Sequence, residues 1–141
     1  MPQIVIETLI NAPAEVCFDL IRDPRVHPDS KLTIDGIAKV GMGHRAIFES
    51  KVGGMAQQLI VEVVECRRPY IFVDEMVQGP FSSFRHIHEF EADRGTTRLV
   101  DTLIWRSSWG MVGKLADRLI ERRLRSIVLK RNRLLKELAE T

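Results

Sequence analysis

Hydrophobic and polar positions divide the chain into three regions that differ in period. Residues 3 to 10 carry closely spaced β-branched residues and predict a strand. A short amphipathic helix is expected from about Pro13 to Arg22, because Asp23-Pro24 disfavours its continuation. A second short helix or turn is expected from Pro24 to Pro28. The chain therefore begins with one strand followed by two short helices.

The middle region, from about Leu32 to Arg106, has the short alternating runs that are typical of a β-sheet. Glycine- or proline-containing turns interrupt it at intervals of roughly ten to sixteen residues. The runs between the turns predict an antiparallel meander. They cover residues 45–52, 57–66, 70–77, 82–91 and 97–105.

The last region, residues 109 to 140, repeats apolar residues every three or four positions and contains no proline. This period predicts one long amphipathic helix of up to about 45 Å. Because the sheet and the helix each have an apolar face to bury, we expect an α+β fold. In this fold a curved antiparallel sheet of about seven strands wraps around the C-terminal helix. The length of 141 residues predicts a single domain, 1–141.

Charge is distributed unevenly along the chain, although the formal net charge is only +2. Residues 109–141 hold nine Lys or Arg against four acids, so the predicted helix carries +5 and the rest of the chain −3. One interpretation is a solvated helix face, and the other is a peripheral contact with an anionic membrane surface or a partner. Nucleic-acid binding is not expected, because no exposed aromatic residues are interleaved with the basic ones.

The remaining bulk features predict a cytoplasmic protein. Cys17 and Cys66 form no C-x-x-C motif and are expected to stay reduced. The first ten residues include Glu7 and lack the basic flank of a signal peptide. No apolar run approaches the roughly 20 residues of a membrane span, so integral membrane association is not expected. No phosphate-binding loop follows the glycine pairs, and no cofactor is expected.

The order of elements and two sequence motifs resemble one superfamily. The segment INAPAEVCFDL, residues 10 to 20, is similar to the entry segment of SRPBCC proteins, the superfamily of START domains, birch-pollen allergens and polyketide cyclase/dehydrase-like proteins. The segment DEMVQGPFSSFRHIHEF, residues 74 to 90, resembles a bacterial subgroup, with Phe84 where tryptophan is usual. The resemblance implies a helix-grip fold, with a cavity between sheet and helix and no metal. It also implies that some members cyclise or dehydrate polyketides in this cavity.

The segment His86-Ile87-His88 supplies the best candidates for chemistry. In a strand, residues i and i+2 point to the same face, and the charged residues at 85, 89 and 91 occupy the other face. The two histidines are therefore expected to face inward. A two-residue turn at Arg94-Gly95 would place His88 directly opposite Asp101.

The preceding hairpin, at residues 78–81, adds a carboxylate to this face. If the hairpin is symmetrical, Glu75 lies on the inner side and Asp74 on the outer side. This register is less constrained, because both faces of residues 70–77 are apolar.

Three interpretations of the cluster stay open. It is a hydrogen-bonded polar group inside the core, a polar anchor in a ligand cavity, or a metal or acid–base site with His88 and Asp101 as catalytic candidates. No third histidine lies close in sequence, and no metal is expected. His27 and His44 are expected to be exposed.

The sequence thus predicts a small-molecule binding protein for an apolar or amphipathic guest such as a lipid, isoprenoid, quinone or polyketide-like molecule. One alternative is a cyclase- or dehydratase-type enzyme that uses a His88–Asp101 pair. The other is a protein- or membrane-interaction module that uses the basic helix. The predicted ligand-binding residues are Glu75, Phe84, His86, His88, Phe90, Leu99, Asp101, Leu103, Trp105, Val112, Ala116 and Leu119.

Overall fold

The computed structural model describes residues 2–27, 30–31, 41–52, 55–107 and 114–141. Two helices and the strands of one sheet make up this part of the chain. In chain order they are β1 (Gln3–Ile10), α1 (Ala14–Ile21), β2 (Ser30–Lys31), β3 (Arg45–Val52), β4 (Met55–Arg67), β5 (Ile71–Gln78), β6 (Phe81–Asp93), β7 (Thr96–Ser107) and α2 (Lys114–Ala139).

Every strand pairs antiparallel with its neighbours, in the order β1-β7-β6-β5-β4-β3-β2. The first strand closes one side by pairing with the last, and β2 adds only two residues at the other edge. Consecutive strands from β3 to β7 form the predicted meander. The predicted α+β class, with an open antiparallel sheet and a C-terminal helix, is confirmed.

The helix α2 has 26 residues and is therefore about 39 Å long. Two apolar clusters connect it with the sheet. Near its C-terminal end, Leu135 packs in a cluster with α1 residues such as Phe18 and sheet residues such as Phe72 and Leu99. Halfway along, Val128 packs in a second cluster that contains Ile4, Ile6, Phe84, Leu103 and Trp105. Polar side chains lie on the inner face of the sheet between these two clusters.

The segment after β1 contains α1 and then one turn of 3₁₀ helix at Pro24–Val26. Four residues of α1, Ala14, Cys17, Phe18 and Ile21, are buried against the first apolar cluster. The buried Cys17 and half-buried Cys66 are both free thiols. Among the described helices, none is long and apolar enough to cross a membrane.

Candidate functional site

The β6–β7 hairpin sets the geometry of the site. Asp93 pairs with Thr96, and the two turn residues Arg94 and Gly95 have φ values of 51° and 82°, which matches a type I′ turn. This turn places His88 opposite Asp101, as predicted.

The side chains of β6 and β7 alternate between the two faces of the sheet as predicted. Charged residues on β6 lie outside, while the predicted inner set is buried. The buried set is Phe84, His86, His88, Phe90, Leu99, Asp101, Leu103 and Trp105.

The helix residues that were predicted to bind the ligand are not buried like those of the strands. Leu119 is 59% exposed, so its placement in a cavity wall was wrong. It lies on the side of α2 that points away from the buried Val128 and Leu135. Ala116 is half-buried, and Val112 lies outside the described residues.

The predicted inward position of Glu75 was also wrong. Strands β5 and β6 pair Asp74 with His86 and Glu75 with Arg85, one residue away from the predicted register. The turn is centred on Pro80 rather than between Gly79 and Pro80, and a slip of one residue moves each side chain to the opposite face. Glu75 is exposed and accepts a hydrogen bond from Arg85, with 2.7 Å between Nη1 and Oε1. Asp74 takes the inner position.

Asp101 is fully buried at the centre of a hydrogen-bonded network. His86 donates from Nε2 to Oδ1 at 2.7 Å, and Arg131 donates from Nη2 to the same oxygen at 2.5 Å. Asn132 donates from Nδ2 to Oδ2 at 2.8 Å. Burial alone would raise the pKa of Asp101, but the charge of Arg131 and the hydrogen bond from His86 hold it well below its usual range. Asp101 is therefore a carboxylate with all of its partners in place.

His88 makes a different set of contacts and does not form the predicted hydrogen-bonded pair with Asp101. Its Nδ1 donates to the carbonyl oxygen of Phe72 at 2.8 Å, and its Nε2 accepts from Nη1 of Arg131 at 3.0 Å. The gap from Nε2 to the Asp101 carboxylate is 3.8 Å, too long for a hydrogen bond. Burial, with the nearby His86 and Arg131, lowers the pKa of His88 well below its ordinary value. His88 is thus a neutral ring with both nitrogens occupied, and the histidine paired with Asp101 is His86.

Arg131 and Asn132 were not found from the sequence as part of this site. Arg131 was counted among the basic residues of a solvent-exposed helix face, whereas both side chains are buried. A signal was present, because the two residues interrupt the apolar stripe of α2 between Val128 and Leu135. A guanidinium in this position points to a buried carboxylate partner.

Asp74 is the least satisfied polar group in the cluster. One of its carboxylate oxygens lies within 4.8 Å of a nitrogen of His86 and of a nitrogen of His88. In the described part of the chain its carboxylate makes no hydrogen bond. Burial raises the pKa of Asp74 to about 6. Its side chain still keeps some water-accessible surface, although protein atoms surround it.

The spacing of Asp74, His86 and His88 would suit a metal ion, but the donor atoms do not. The Nε2 lone pair of His88 is taken by Arg131, whose guanidinium is fixed by further hydrogen bonds to Asp101 and to the Asn132 side chain. Only Asp74 and His86 would be left as ligands, and the positively charged guanidinium of Arg131 lies close by. Two protein ligands are fewer than zinc sites use, so these residues do not fit a metal centre.

His27 approaches the same cluster from the end of the 3₁₀ turn. It is half-buried, with Nε2 2.7 Å from the carbonyl oxygen of Ile21. Burial and the charge of Arg131 lower the pKa of His27 to about 4. His44 is half-buried too, and its Nδ1 accepts from the Gly41 amide. The predicted exposure of both histidines was wrong.

Comparison with known proteins gives no match to a family model and no match to a curated protein sequence. Solved structures, in contrast, superpose over nearly the whole chain. TTHA0849 from Thermus thermophilus has a TM-score of 0.78 at 20% identity, over 96% of this chain and 95% of that one. The Zhui aromatase/cyclase from Streptomyces sp. R1128 has a TM-score of 0.76 at 14% identity, over 99% and 93%. A START superfamily protein from Mycobacterium smegmatis has a TM-score of 0.72 at 13% identity, over 96% and 98%. The chain therefore shares the helix-grip fold of these structures.

In this helix-grip fold, the polar cluster lies beside apolar side chains that are incompletely covered. Five residues from β4, β5, β6 and α2 pack against the second apolar cluster and are only partly buried: Leu59, Met76, Phe81, Ile120 and Leu124. Met76 lies two residues beyond Asp74 on β5 and therefore on the same face of the sheet.

Two grooves lie on the outer side of α2. They have volumes of about 370 and 420 Å³ and are lined mainly by arginines of that helix.

Proposed function

We propose that the protein is a cytoplasmic small-molecule binding protein and that residues 1–141 act as one ligand-binding domain. Its guest is an apolar or amphipathic molecule, such as a lipid, isoprenoid, quinone or polyketide-like compound, held between the sheet and α2. The proposal rests on Asp74, a surrounded carboxyl group that makes no hydrogen bond in the described part of the chain. Asp74 keeps some water-accessible surface, so the missing partner can come from outside the protein, from water or from a guest molecule.

A hydroxyl group on the guest would supply the missing partner. In its neutral form, the ring of His86 donates from Nε2 to Asp101 and carries a lone pair on its other nitrogen. An oxygen placed between Asp74 and His86 can donate to the carboxylate when Asp74 is ionised. When Asp74 is protonated, the same oxygen can accept from it and donate to His86. The pKa of about 6 makes both states accessible near neutral pH.

The network behind His86 supports this role because it holds the ring in one orientation. Asp101 fixes the Nε2–H of His86, and Arg131 and Asn132 fix Asp101 in turn. The rings of His86 and His88 are stacked, with 3.8 Å between their centroids. A binding group that is already oriented loses little entropy when the guest arrives.

The apolar part of the guest would be bound by hydrophobic burial. The partly buried residues that pack against the second apolar cluster, among them Met76, Ile120 and Leu124, offer apolar surface for this contact. Each square ångström of such surface that is removed from water contributes about 25 cal/mol. Small-molecule sites usually combine apolar walls with a few directional polar groups.

The hydroxyl contact can be tested with two matched probes, naphthalene and β-naphthol. By isothermal titration calorimetry, β-naphthol should bind the wild-type protein about tenfold more tightly than naphthalene, because one hydrogen bond is gained. The Asp74→Val variant keeps a similar side-chain volume and should bind both probes equally. The Glu75→Gln variant is the control on the opposite face and should keep the tenfold preference. If the wild type binds neither probe, and native mass spectrometry of the purified protein finds no bound small molecule, the proposal is wrong.

A second candidate role, at the outer face of α2, is favoured by an observation of its own. The outward positions of the helix are basic with interspersed apolar residues, and several of the arginines form no ion pair in the described part of the chain. Exposed residues on this side are Arg118, Leu119, Arg122, Arg123, Leu129, Lys130 and Arg133. We infer a peripheral contact with an anionic membrane surface, to which each basic residue contributes about 1 kcal/mol.

Vesicle binding tests the peripheral contact. The protein should co-sediment with vesicles of phosphatidylserine and phosphatidylcholine but not with pure phosphatidylcholine, and added salt should weaken the binding. Neutralising Arg122 and Arg133 together (R122Q/R133Q) should weaken binding by about tenfold to thirtyfold. The same change of charge at Arg85 and Arg106, on the outer face of the sheet, should have a much smaller effect. Equal losses in both double variants would show that only net charge matters and would refute a contact through α2.

A further inference from the structure

Trp105 carries an unused hydrogen-bond donor in the interior. The side chain is 1% exposed, and its indole Nε1–H has no acceptor. Within the part of the chain that the structure describes, this is the single buried side-chain nitrogen or oxygen without a partner. An indole nitrogen can only donate, so the group requires an acceptor oxygen or nitrogen from elsewhere.

No described acceptor lies within hydrogen-bond distance of the Trp105 indole nitrogen. It lies opposite Phe84 on β6 and packs in the apolar cluster with Leu103 and Val128. The next layer consists of partly buried apolar side chains such as Met76 and Leu124. Tryptophan is normally placed in a core where its N–H reaches a partner. Trp105 has no such partner, and it lies beside the partly buried apolar residues to which we assign the guest.

Strand pairing fixes how far Trp105 lies from Asp74. Asp74 pairs with His86, and Trp105 pairs with Phe84, two residues further along β6. The two residues are therefore two strand spacings apart across the sheet and two residues apart along it. With 4.8 Å per strand and 3.4 Å per residue, their Cα atoms are about 12 Å apart. Both side chains point to the inner face, so one elongated molecule could contact both.

We propose that the indole N–H of Trp105 is the second polar contact of the guest, an inference that rests on the proposed binding function. The guest then has a hydroxyl group at one end, for Asp74 and His86, and an acceptor such as a carbonyl or ether oxygen at the other end. The hydroxyl group lies between Asp74 and His86, half a strand spacing closer to Trp105 than Asp74 is, so the two polar groups of the guest are about 10 Å apart. An apolar segment joins them. The chemical class is an elongated hydroxy-ketone or hydroxy-ether. The direction of binding is fixed, because one end of the site accepts hydrogen bonds and the other end donates one.

The experiment adds two probes to the naphthalene series: acetylnaphthalene, and an acetylnaphthol with hydroxyl and acetyl groups at opposite ends of the rings. In the wild type, the acetyl group should tighten binding of the naphthol about fivefold to tenfold. The Trp105→Phe variant keeps an aromatic side chain but has no N–H, and it should lose this gain while keeping the preference for β-naphthol over naphthalene. The Asp74→Val variant should show the reverse pattern, losing the hydroxyl gain and keeping the acetyl gain.

A second measurement leaves the wild-type protein intact, in case the Trp105→Phe variant folds poorly. The chain has two tryptophans, so a nitrogen-15 spectrum shows two indole signals, which the Trp109→Phe variant assigns. Acetylnaphthol should move the Trp105 indole proton downfield, and β-naphthol should move it much less. If the acetyl group gives no gain in the wild type and no such shift, the inference about Trp105 is wrong while the binding function stands. If no probe binds at all, the binding function itself has failed.

Discussion

Replacing Arg131 with methionine should lower the free energy of unfolding by about 3–5 kcal/mol, which is the cost of leaving a buried charge without its partner. Asp101 is completely buried and ionised, and Arg131 is the cation that contacts it. The same guanidinium also donates to His88, so its loss leaves a second buried acceptor without a donor. Methionine fits the space of the aliphatic stem, so little of the loss should come from a cavity. Urea unfolding near neutral pH measures the difference.

A matched control lies two residues further along the same helix. Arg133 is exposed and forms no ion pair in the described part of the chain, so Arg133→Met should change the free energy of unfolding by less than about 0.5 kcal/mol. The comparison separates the buried ion pair from any general effect of removing a positive charge from α2. An Arg131→Met variant within about 1 kcal/mol of the wild type would contradict the assigned role of Arg131.

The same ion pair predicts that a second substitution restores part of the lost stability. Adding Asp101→Asn to Arg131→Met removes the unpaired charge but leaves an oxygen that can still accept from His86. The double variant should therefore be about 1–2 kcal/mol more stable than Arg131→Met alone. If the unfolding free energy lost in the double variant instead equals the sum of the losses in Arg131→Met and Asp101→Asn, the two residues act independently.

The β6–β7 half of the site could be predicted from the sequence because its geometry is set locally. A two-residue turn at Arg94-Gly95 allows one register, and the charged residues at positions 85, 89 and 91 mark the outer face. These two signals agree, and together they place His86, His88 and Asp101 inside. The overall fold followed from the same kind of agreement, between a period of two in the middle of the chain and a period near 3.6 at its end.

The other half of the site could not be predicted, for two physical reasons. The β5–β6 turn differs by one residue from a symmetrical hairpin, and β5 is apolar on both faces, so nothing in the sequence distinguished Asp74 from Glu75. Arg131 lies in a helix with many other basic residues, and its partner Asp101 is 30 positions away along the chain. Local pattern therefore located the histidines but not the groups that determine their hydrogen bonding. The predicted partner of Asp101 was consequently the wrong histidine of the pair.

Replacing Asp74 with asparagine should stabilise the ligand-free protein above pH 6, by about 2–3 kcal/mol. Burial raises the pKa of Asp74 from 3.8 to about 6, so the folded state binds its proton more tightly than the unfolded state. Below about pH 4 the group is protonated in both states and carries no penalty. As the pH rises through 6, the folded state must ionise a surrounded carboxyl group, and stability is lost. Each unit of this shift corresponds to about 1.4 kcal/mol.

The measurement is the difference in unfolding free energy between Asp74→Asn and the wild type, taken from about pH 4.5 to pH 8. This difference should grow by about 1–2 kcal/mol over the range, because only Asp74 is removed. The depressed pKa values of His27, His88 and Asp101 act on both proteins and cancel in the difference. Glu75→Gln, next to Asp74 but exposed on the other face, should change the unfolding free energy by less than about 0.5 kcal/mol at both ends of the range. A destabilised Asp74→Asn variant above pH 6 would mean that the carboxylate already has a partner in the ligand-free protein, and it would remove the main support for a guest hydroxyl at this position.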